Sequence, residues 1–238
     1  MQRKIRYILF IIVLCYFILP RTLVSQTIPY PPGIELGGSA SYLGRANHNS
    51  SPYYKHPDFY RMDNTDSRTI LPHFATYQQT TDYTCGPAAL LMAAYYRGVL
   101  LNELEIAKAT GANKKTGTST EQMVHYLKNT GWKVRSSLTE PEIATLHFLK
   151  HQIKNGNPVM VEWVDWAGHW QVAIGYDDVG TPAEVSDDVL IMADPYDTSD
   201  HLQDGYAIVQ ADRFQSMWFD HDLLPKNQRK RQWIIFSR

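Results

Sequence analysis

Apolar positions recur at helical spacing in four stretches between residues 86 and 155. Residues 86–97 are apolar on nearly all sides, which predicts a helix buried in the centre of a domain. Ser119 and Gln122 have the spacing of a capping box, and Gly131 ends the helix that this box opens. The predicted helices span residues 86–97, 102–110, 119–131 and 139–155.

Short runs rich in β-branched and aromatic residues come mostly after these helices. The runs at 158–164 and 169–176 are joined by a four-residue turn, which predicts an antiparallel pair. Because helices precede strands, we expect an α+β fold in which the buried helix packs on a mostly antiparallel sheet. The predicted strands span residues 132–137, 158–164, 169–176, 189–193 and 233–236.

Residues 27–71 sustain neither a helical nor a strand period. They are rich in Pro, Gly, Ser, Asn and Tyr, a composition typical of an irregular arm or linker. The chain has 238 residues, of which 44% are hydrophobic, and this suits one globular domain with appendages. We therefore predict that the domain spans residues 72–238.

The first 26 residues have the pattern of an export signal. Arg3, Lys4 and Arg6 precede an apolar run at 7–19, which Pro20 and Arg21 close. The run is shorter than the roughly 20 residues of a membrane-spanning helix, so a signal peptide is favoured, with an uncleaved signal anchor as the alternative. The protein is expected to be extracytoplasmic: secreted, periplasmic or anchored to a membrane by residues 7–19.

Charge and motifs exclude several classes of partner. The formal net charge is −1, and the basic cluster at 226–231 precedes an apolar run, so nucleic-acid binding is not expected. No Walker-type phosphate loop is present, which argues against ATP use. The acidic pairs at 177–178 and 187–188 lack the spacing of a calcium loop. We predict no cofactor and no metal, and the oligomeric state is left open.

Cys85 is the residue that most clearly suggests a chemical role. The other of the two cysteines, Cys15, lies in the signal segment, so cleavage would leave Cys85 as a single thiol in an oxidising compartment. Cys85 lies at the predicted start of the buried helix, where unpaired backbone N–H groups favour a thiolate. The sequence allows two interpretations: a nucleophile, or a small buried apolar residue.

A thiol nucleophile needs a base and an acceptor that orients the base. His169 is the best placed of nine histidines because it opens a strand after Gly168, and Asp194 ends another strand. Either residue could instead be structural. Three tryptophans at 163, 166 and 170 are expected to pack in the core, with cleft lining as the alternative.

The chain resembles the bacteriocin-processing (double-glycine leader) cysteine peptidases and their stand-alone relatives, which have a papain-like fold. The resemblance spans about residues 74–236. It is carried by Gln79 six residues before Cys85, Cys85-Gly-Pro-Ala-Ala, Gly117-Thr-Ser119, Gly168-His169-Trp-Gln-Val-Ala-Ile-Gly-Tyr-Asp, Ala193-Asp194-Pro195, and Phe214 with Trp218.

This resemblance implies roles for four residues: Cys85 as nucleophile, His169 as general base and acid, Asp194 as its orienter, and Gln79 as a side-chain oxyanion donor beside the Cys85 backbone N–H. The adjacent Gln78 is expected to tolerate substitution. Thr84 stands where the family usually has Asp, so processing of bacteriocin leaders coupled to export is not expected.

The sequence therefore predicts an exported thiol hydrolase, a cysteine peptidase that acts on a peptide or protein through an acyl-enzyme. Two alternatives remain open. The same site could transfer the acyl group to an amine, as a transpeptidase does, or the domain could bind peptides without turnover.

Removal of the apolar run tests the export interpretation. We predict that a chain beginning at Gln26 is soluble, because residues 7–19 form the only long apolar run in the sequence. Size-exclusion chromatography of the purified protein measures this. Aggregation that is relieved only when residues 7–19 are restored would show that the run belongs to the folded domain.

Overall fold

The computed structural model describes residues 26–43, 53, 55, 57–198, 202–220 and 224–238. Apart from Gln26, the predicted signal segment lies outside the described residues. No helix within these ranges combines the length and the apolar character that a membrane span needs.

The described residues form five α-helices. These are α1 Cys85–Tyr96, α2 Glu103–Thr110, α3 Thr120–Asn129, α4 Leu146–Lys154 and α5 Ala211–Met217. The first three confirm the predicted helices, and α3 carries the predicted capping box between Ser119 and Gln122. The fourth begins later than predicted, because Pro141 opens a separate 3₁₀ helix and Thr145 then caps α4.

Seven strands lie in the same ranges. These are β1 Arg68–Ile70, β2 Lys133–Ser136, β3 Val159–Trp163, β4 His169–Asp177, β5 Val189–Ala193, β6 Tyr206–Gln210 and β7 Gln232–Ser237. They form one sheet in the order β2-β7-β3-β4-β5-β6. Every strand pair is antiparallel, and β1 pairs with the end of β4 that extends beyond β3. The predicted α+β class with an antiparallel sheet is confirmed.

Helix α1 is the centre of the hydrophobic core. All of its residues from Cys85 to Ala94 are buried, as its uniformly apolar sequence predicts. A glycine at position 86 allows its first turn to approach the sheet, since a Cβ there would lie 3.1 Å from Met123 Sδ and 3.4 Å from Trp170 Cδ1. The close approach holds the helix start, and with it Cys85, beside the beginning of β4.

Three elements were not predicted: β1, β6 and α5. β1 has three residues, too few to show a period, and it lies inside the segment predicted as an arm or linker. β6 leaves Ile208 63% exposed and pairs with a single strand, β5. α5 has seven residues and buries Phe214 against Trp163 and Trp218. The division of the chain at residue 71 stays a prediction.

Candidate active site

Cys85 occupies the first position of α1 and is 9% exposed. The residue before it, Thr84, is the N-cap but makes no capping hydrogen bond with its side chain. Its hydroxyl instead donates to Glu103 Oε1. The N–H groups of the first turn are therefore not capped by Thr84, and their positive partial charge is available to the Cys85 sulfur.

His169 and Asp194 form a buried pair next to Cys85. His169 Nε2 lies 2.7 Å from Asp194 Oδ1, and the two side chains are 3% and 6% exposed. The other carboxylate oxygen accepts a hydrogen bond from Gln171 Nε2 at 2.7 Å. Oδ1 also accepts from the Tyr196 backbone N–H at 2.7 Å. With Nε2 engaged by the carboxylate, Nδ1 is the ring nitrogen left for the thiol.

The charge of Asp194 determines the protonation of His169. Burial has the largest effect and by itself lowers the pKa of His169, because a buried cation loses its hydration. The Asp194 carboxylate and the hydrogen bonds to Asp194 and Cys85 act in the opposite direction and prevail. Together they raise the pKa of His169 from 6.5 to about 10. An imidazolium is thus favoured next to the thiol.

Gln79 is 1% exposed and lines the same cleft as Cys85 and His169. Its Nε2 donates to the Thr81 carbonyl at 2.6 Å, which fixes the orientation of the amide. An amide nitrogen has two hydrogens, so one remains for a ligand in the cleft. The structure therefore brings three of the predicted site residues, Gln79, Cys85 and His169, together around one cleft, and the fourth, Asp194, contacts His169 from behind.

Gln78 is not the tolerant neighbour that the sequence suggests. It is buried, and its Nε2 donates to the Asp194 carbonyl at 2.7 Å while its Oε1 accepts from the Asp197 N–H at 3.1 Å. The side chain therefore holds the turn that carries Asp194. Replacing Gln78 would leave buried backbone groups without partners, so we expect it to be harmful.

Glu103 is a site residue that the sequence did not reveal. It is 0% exposed, and its carboxylate accepts from the Thr80 N–H, from the hydroxyls of Thr80 and Thr84, and from the Tyr77 hydroxyl. These bonds fix the course of the chain into Cys85. An acidic residue in the first turn of a helix is common, so nothing in the sequence distinguished Glu103 from a surface residue.

A second buried acid, Glu162, lies on β3. Burial raises its pKa well above the ordinary value, and the neighbouring Asp220 and Cys85 add to the shift. The raised pKa favours the uncharged form of Glu162, which reduces negative charge beside the sulfur. Nothing in the sequence of this apolar strand indicated that Glu162 would lie buried near Cys85.

Cys85 and His169 open onto a cleft of about 390 Å³. Trp166 is 61% exposed, lines the cleft, and packs against Tyr196 with ring centroids 5.3 Å apart. The expectation that Trp166 lies in the core is thus wrong, whereas Trp163 and Trp170 are buried as predicted. The other lining residues are Asp82, Tyr83, Lys114, Lys115, Gly117, Ala167 and Gly168.

The turn before His169 is strained. Trp166 and Ala167 have φ values of 50° and 66°, a left-handed conformation that is uncommon for residues other than glycine. Such strain is maintained only where the surrounding structure enforces it, and it is found most often at functional sites. Here it presents the indole of Trp166 to the cleft. Among the described residues, no group of three or more His, Cys, Asp or Glu side chains is arranged to hold a metal ion.

A model of the Peptidase_C39-like family matches residues 72–220. This match covers more than half of the chain and contains all four predicted site residues. The chain belongs to the Peptidase_C39-like family. Membership assigns the protein to the cysteine peptidases and agrees with the resemblance inferred from its motifs.

Several solved structures are similar to this Peptidase_C39-like protein. A putative C39-like peptidase from Bacillus anthracis is 15% identical, with 73% of this chain and 99% of that chain covered and a TM-score of 0.52. The peptidase domain of ComA, a bifunctional ABC transporter of Streptococcus, is 21% identical, with 69% and 98% covered and a TM-score of 0.48.

A double-glycine motif protease of an AMS/PCAT transporter, solved with a leader peptide, is 17% identical, with 72% and 94% covered and a TM-score of 0.45. No curated protein sequence matches the chain.

The raised pKa of His169 predicts a pH dependence of stability. Because the folded state binds the proton more tightly than the unfolded state, the contribution is complete below pH 6.5 and is lost as the pH rises to about 10. We predict that Asp194→Asn flattens the decline of the unfolding free energy between these values. Urea unfolding at a series of pH values measures the slope.

Asp178→Asn is the control for this measurement, because it removes a carboxylate from an ion pair with Lys150 just beyond the end of β4. It should leave the slope as in the wild type. Equal slopes for Asp194→Asn and the wild type would show that Asp194 does not set the protonation of His169.

Proposed function

We propose that this Peptidase_C39-like protein is an exported cysteine peptidase that cleaves peptide bonds through Cys85, His169 and Asp194. The observation that carries the proposal is the buried His169–Asp194 pair, 2.7 Å between Nε2 and Oδ1, next to a thiol at a helix start. The family match supports a peptide as the substrate.

In the first step the Cys85 thiolate attacks the carbonyl carbon of the scissile bond, and the carbonyl electron pair moves to the oxygen. The negative oxygen accepts hydrogen bonds from the second N–H of Gln79 Nε2 and from the backbone N–H of Cys85. The electron pair then returns, the carbon–nitrogen bond breaks, and the His169 imidazolium gives its proton to the leaving amine. A thioester remains on Cys85.

In the second step water attacks the thioester, and neutral His169 takes its proton. The thiolate leaves as the acid product forms, and His169 is again an imidazolium. Asp194 stays ionised throughout and holds the ring with Nε2 away from the sulfur. Gln171 and the Tyr196 N–H keep that carboxylate in place, which explains why three donors converge on it.

The walls of the cleft suggest how a peptide is held. Trp166, Tyr83 and Tyr196 offer aromatic surface on which an extended peptide can lie, and Lys114 and Lys115 add positive charge at the rim. Most of the binding surface is thus apolar, with charge confined to its edge.

Export remains part of the proposal. It is supported by the basic and apolar pattern of residues 1–21. Detection of the mature protein outside the cytoplasm of its host would test this part independently of catalysis.

Cys85→Ala is expected to abolish hydrolysis while the fold is retained, because it removes the nucleophile but only a small group from the helix start. His169→Ala should be nearly as damaging. Cleavage of a peptide library, followed by mass spectrometry, measures turnover, and circular dichroism verifies folding.

His125→Ala is the matched control, since His125 is exposed on α3, where its ring forms a hydrogen bond with the Asn129 side chain. It should cleave at the wild-type rate. Wild-type hydrolysis by Cys85→Ala would refute the proposal, and product formed only with an added amine would instead indicate acyl transfer.

Gln79→Ala should lower kcat by about 10²–10³, or some 2.7–4 kcal/mol, if its amide meets the oxyanion. Alkylation of Cys85 by iodoacetamide should stay fast, because that reaction forms no tetrahedral oxyanion. Gln79→Glu should be at least as harmful, since it places like charge against the oxyanion. A wild-type kcat in Gln79→Ala would show that the oxyanion residue is wrongly assigned.

A further inference from the structure

The arm, residues 26–43, lies along the segment 76–81 that leads into Cys85. Most of this arm was expected to be irregular, and it lies outside the residues matched by the family model. It nevertheless pairs with the segment through a parallel bridge between Thr27 and Thr76 and through backbone and tyrosine hydrogen bonds. These are Ile28 N to Thr76 O at 2.8 Å, Thr76 N to Gln26 O at 2.8 Å, Tyr30 Oη to Gln78 O at 2.9 Å and Ala40 N to Gln79 O at 3.1 Å.

Ser39 is the residue of the arm that reaches two parts of the site at once. It is 1% exposed, and its hydroxyl donates to the Pro195 carbonyl at 2.7 Å, with the Gln79 carbonyl at 3.3 Å. The same Pro195 oxygen accepts from the Gln79 N–H at 2.8 Å. Ser39 therefore closes a junction between the segment that carries Gln79 and the turn that follows Asp194.

The two glycines before Ser39 allow the arm to come this close. A Cβ on Gly37 would lie 2.5 Å from Thr80 O, and one on Gly38 would lie 2.6 Å from Thr81 O. Gly38 also has a φ of 48°, which disfavours any residue with a side chain. The Thr81 carbonyl against which Gly38 packs is the one that accepts the Gln79 side-chain amide.

Both ends of Gln79 are thus supported by the arm. Its backbone is held by Ala40 and, through Pro195, by Ser39. Its side chain is held by a carbonyl that Gly38 packs against. An oxyanion donor is effective only when it is fixed before the reaction, because reorganisation at the transition state costs rate.

We propose that Ser39, with Gly37 and Gly38, is a positioning element for the oxyanion donor Gln79, so that the arm is a working part of the catalytic unit. The inference rests on the proposed function of Gln79. The arm raises kcat by holding Gln79 where its amide stabilises the transition state, and it makes no contact with the reacting atoms.

The test is a double-mutant cycle between Ser39→Ala and Gln79→Ala. Ser39→Ala alone should lower kcat about 10-fold or more, with KM changed less than about twofold. A displaced donor stabilises the oxyanion less well but leaves substrate binding unchanged. The rate of Cys85 alkylation should not change. In the Gln79→Ala background the same substitution should have almost no further effect on kcat, since the donor that Ser39 positions is absent.

Ser41→Ala is the matched control. Ser41 lies in the same 3₁₀ helix, Gly38–Tyr42, and its hydroxyl donates to Gly38 O at 2.8 Å without reaching Gln79 or Pro195. Because its hydrogen bond is only partly buried, Ser41→Ala should lower stability less than Ser39→Ala and keep the wild-type kcat. Gly38→Ala, which acts through the Thr81 carbonyl, should lower kcat in the same way as Ser39→Ala.

Two results would overturn the inference: a wild-type kcat in Ser39→Ala, or effects of Ser39→Ala and Gln79→Ala that add in the double variant. If Cys85→Ala keeps wild-type turnover, the proposed function itself fails, and if Gln79→Ala does so, the oxyanion donor is wrongly assigned. If those two are impaired and Ser39→Ala is not, only the role of the arm is wrong.

Discussion

The buried carboxylate of Asp194 is the constraint on which the site depends. At 4% exposure it cannot rely on water, so the protein must supply its hydrogen-bond donors. It does so from three places: His169 at the start of β4, Gln171 two residues further, and the backbone of Tyr196. Once these donors are in place, the imidazole has a single orientation, with Nε2 on the carboxylate and Nδ1 free for the thiol.

The electrostatics around Cys85 follow from the same requirement. The imidazolium that Asp194 stabilises faces a helix start that its N-cap leaves uncapped, and both favour negative charge on sulfur. Two further buried acids lie close to the chain around Cys85. Glu103 accepts from four hydrogen-bond donors on the segment that leads into Cys85, and burial together with Asp220 raises the pKa of Glu162, which favours its uncharged form.

Segments outside the sheet hold the site residues in position. The chain into Cys85 is held between the arm on one side and the turn after Asp194 on the other, with Gln78 and Ser39 as the side chains that join them. On the opposite wall the left-handed conformations of Trp166 and Ala167 present an indole to the cleft. The rigid sheet and α1 set the distances, and these irregular segments determine which groups reach the substrate.

The sequence by itself determined the elements whose cause is local. The apolar period and caps predicted α1 to α3, the apolar runs predicted five strands, and motif order selected Cys85, His169, Asp194 and Gln79. Only the tertiary structure revealed the supporting residues, because their partners are remote in the chain. Gln171, Gln78 and Ser39 bond to groups 23, 116 and 156 residues away, and no local pattern encodes such contacts. The sequence therefore identified the candidate reacting groups, whereas the fold decided which polar side chains hold them, since burial makes those hydrogen bonds obligatory.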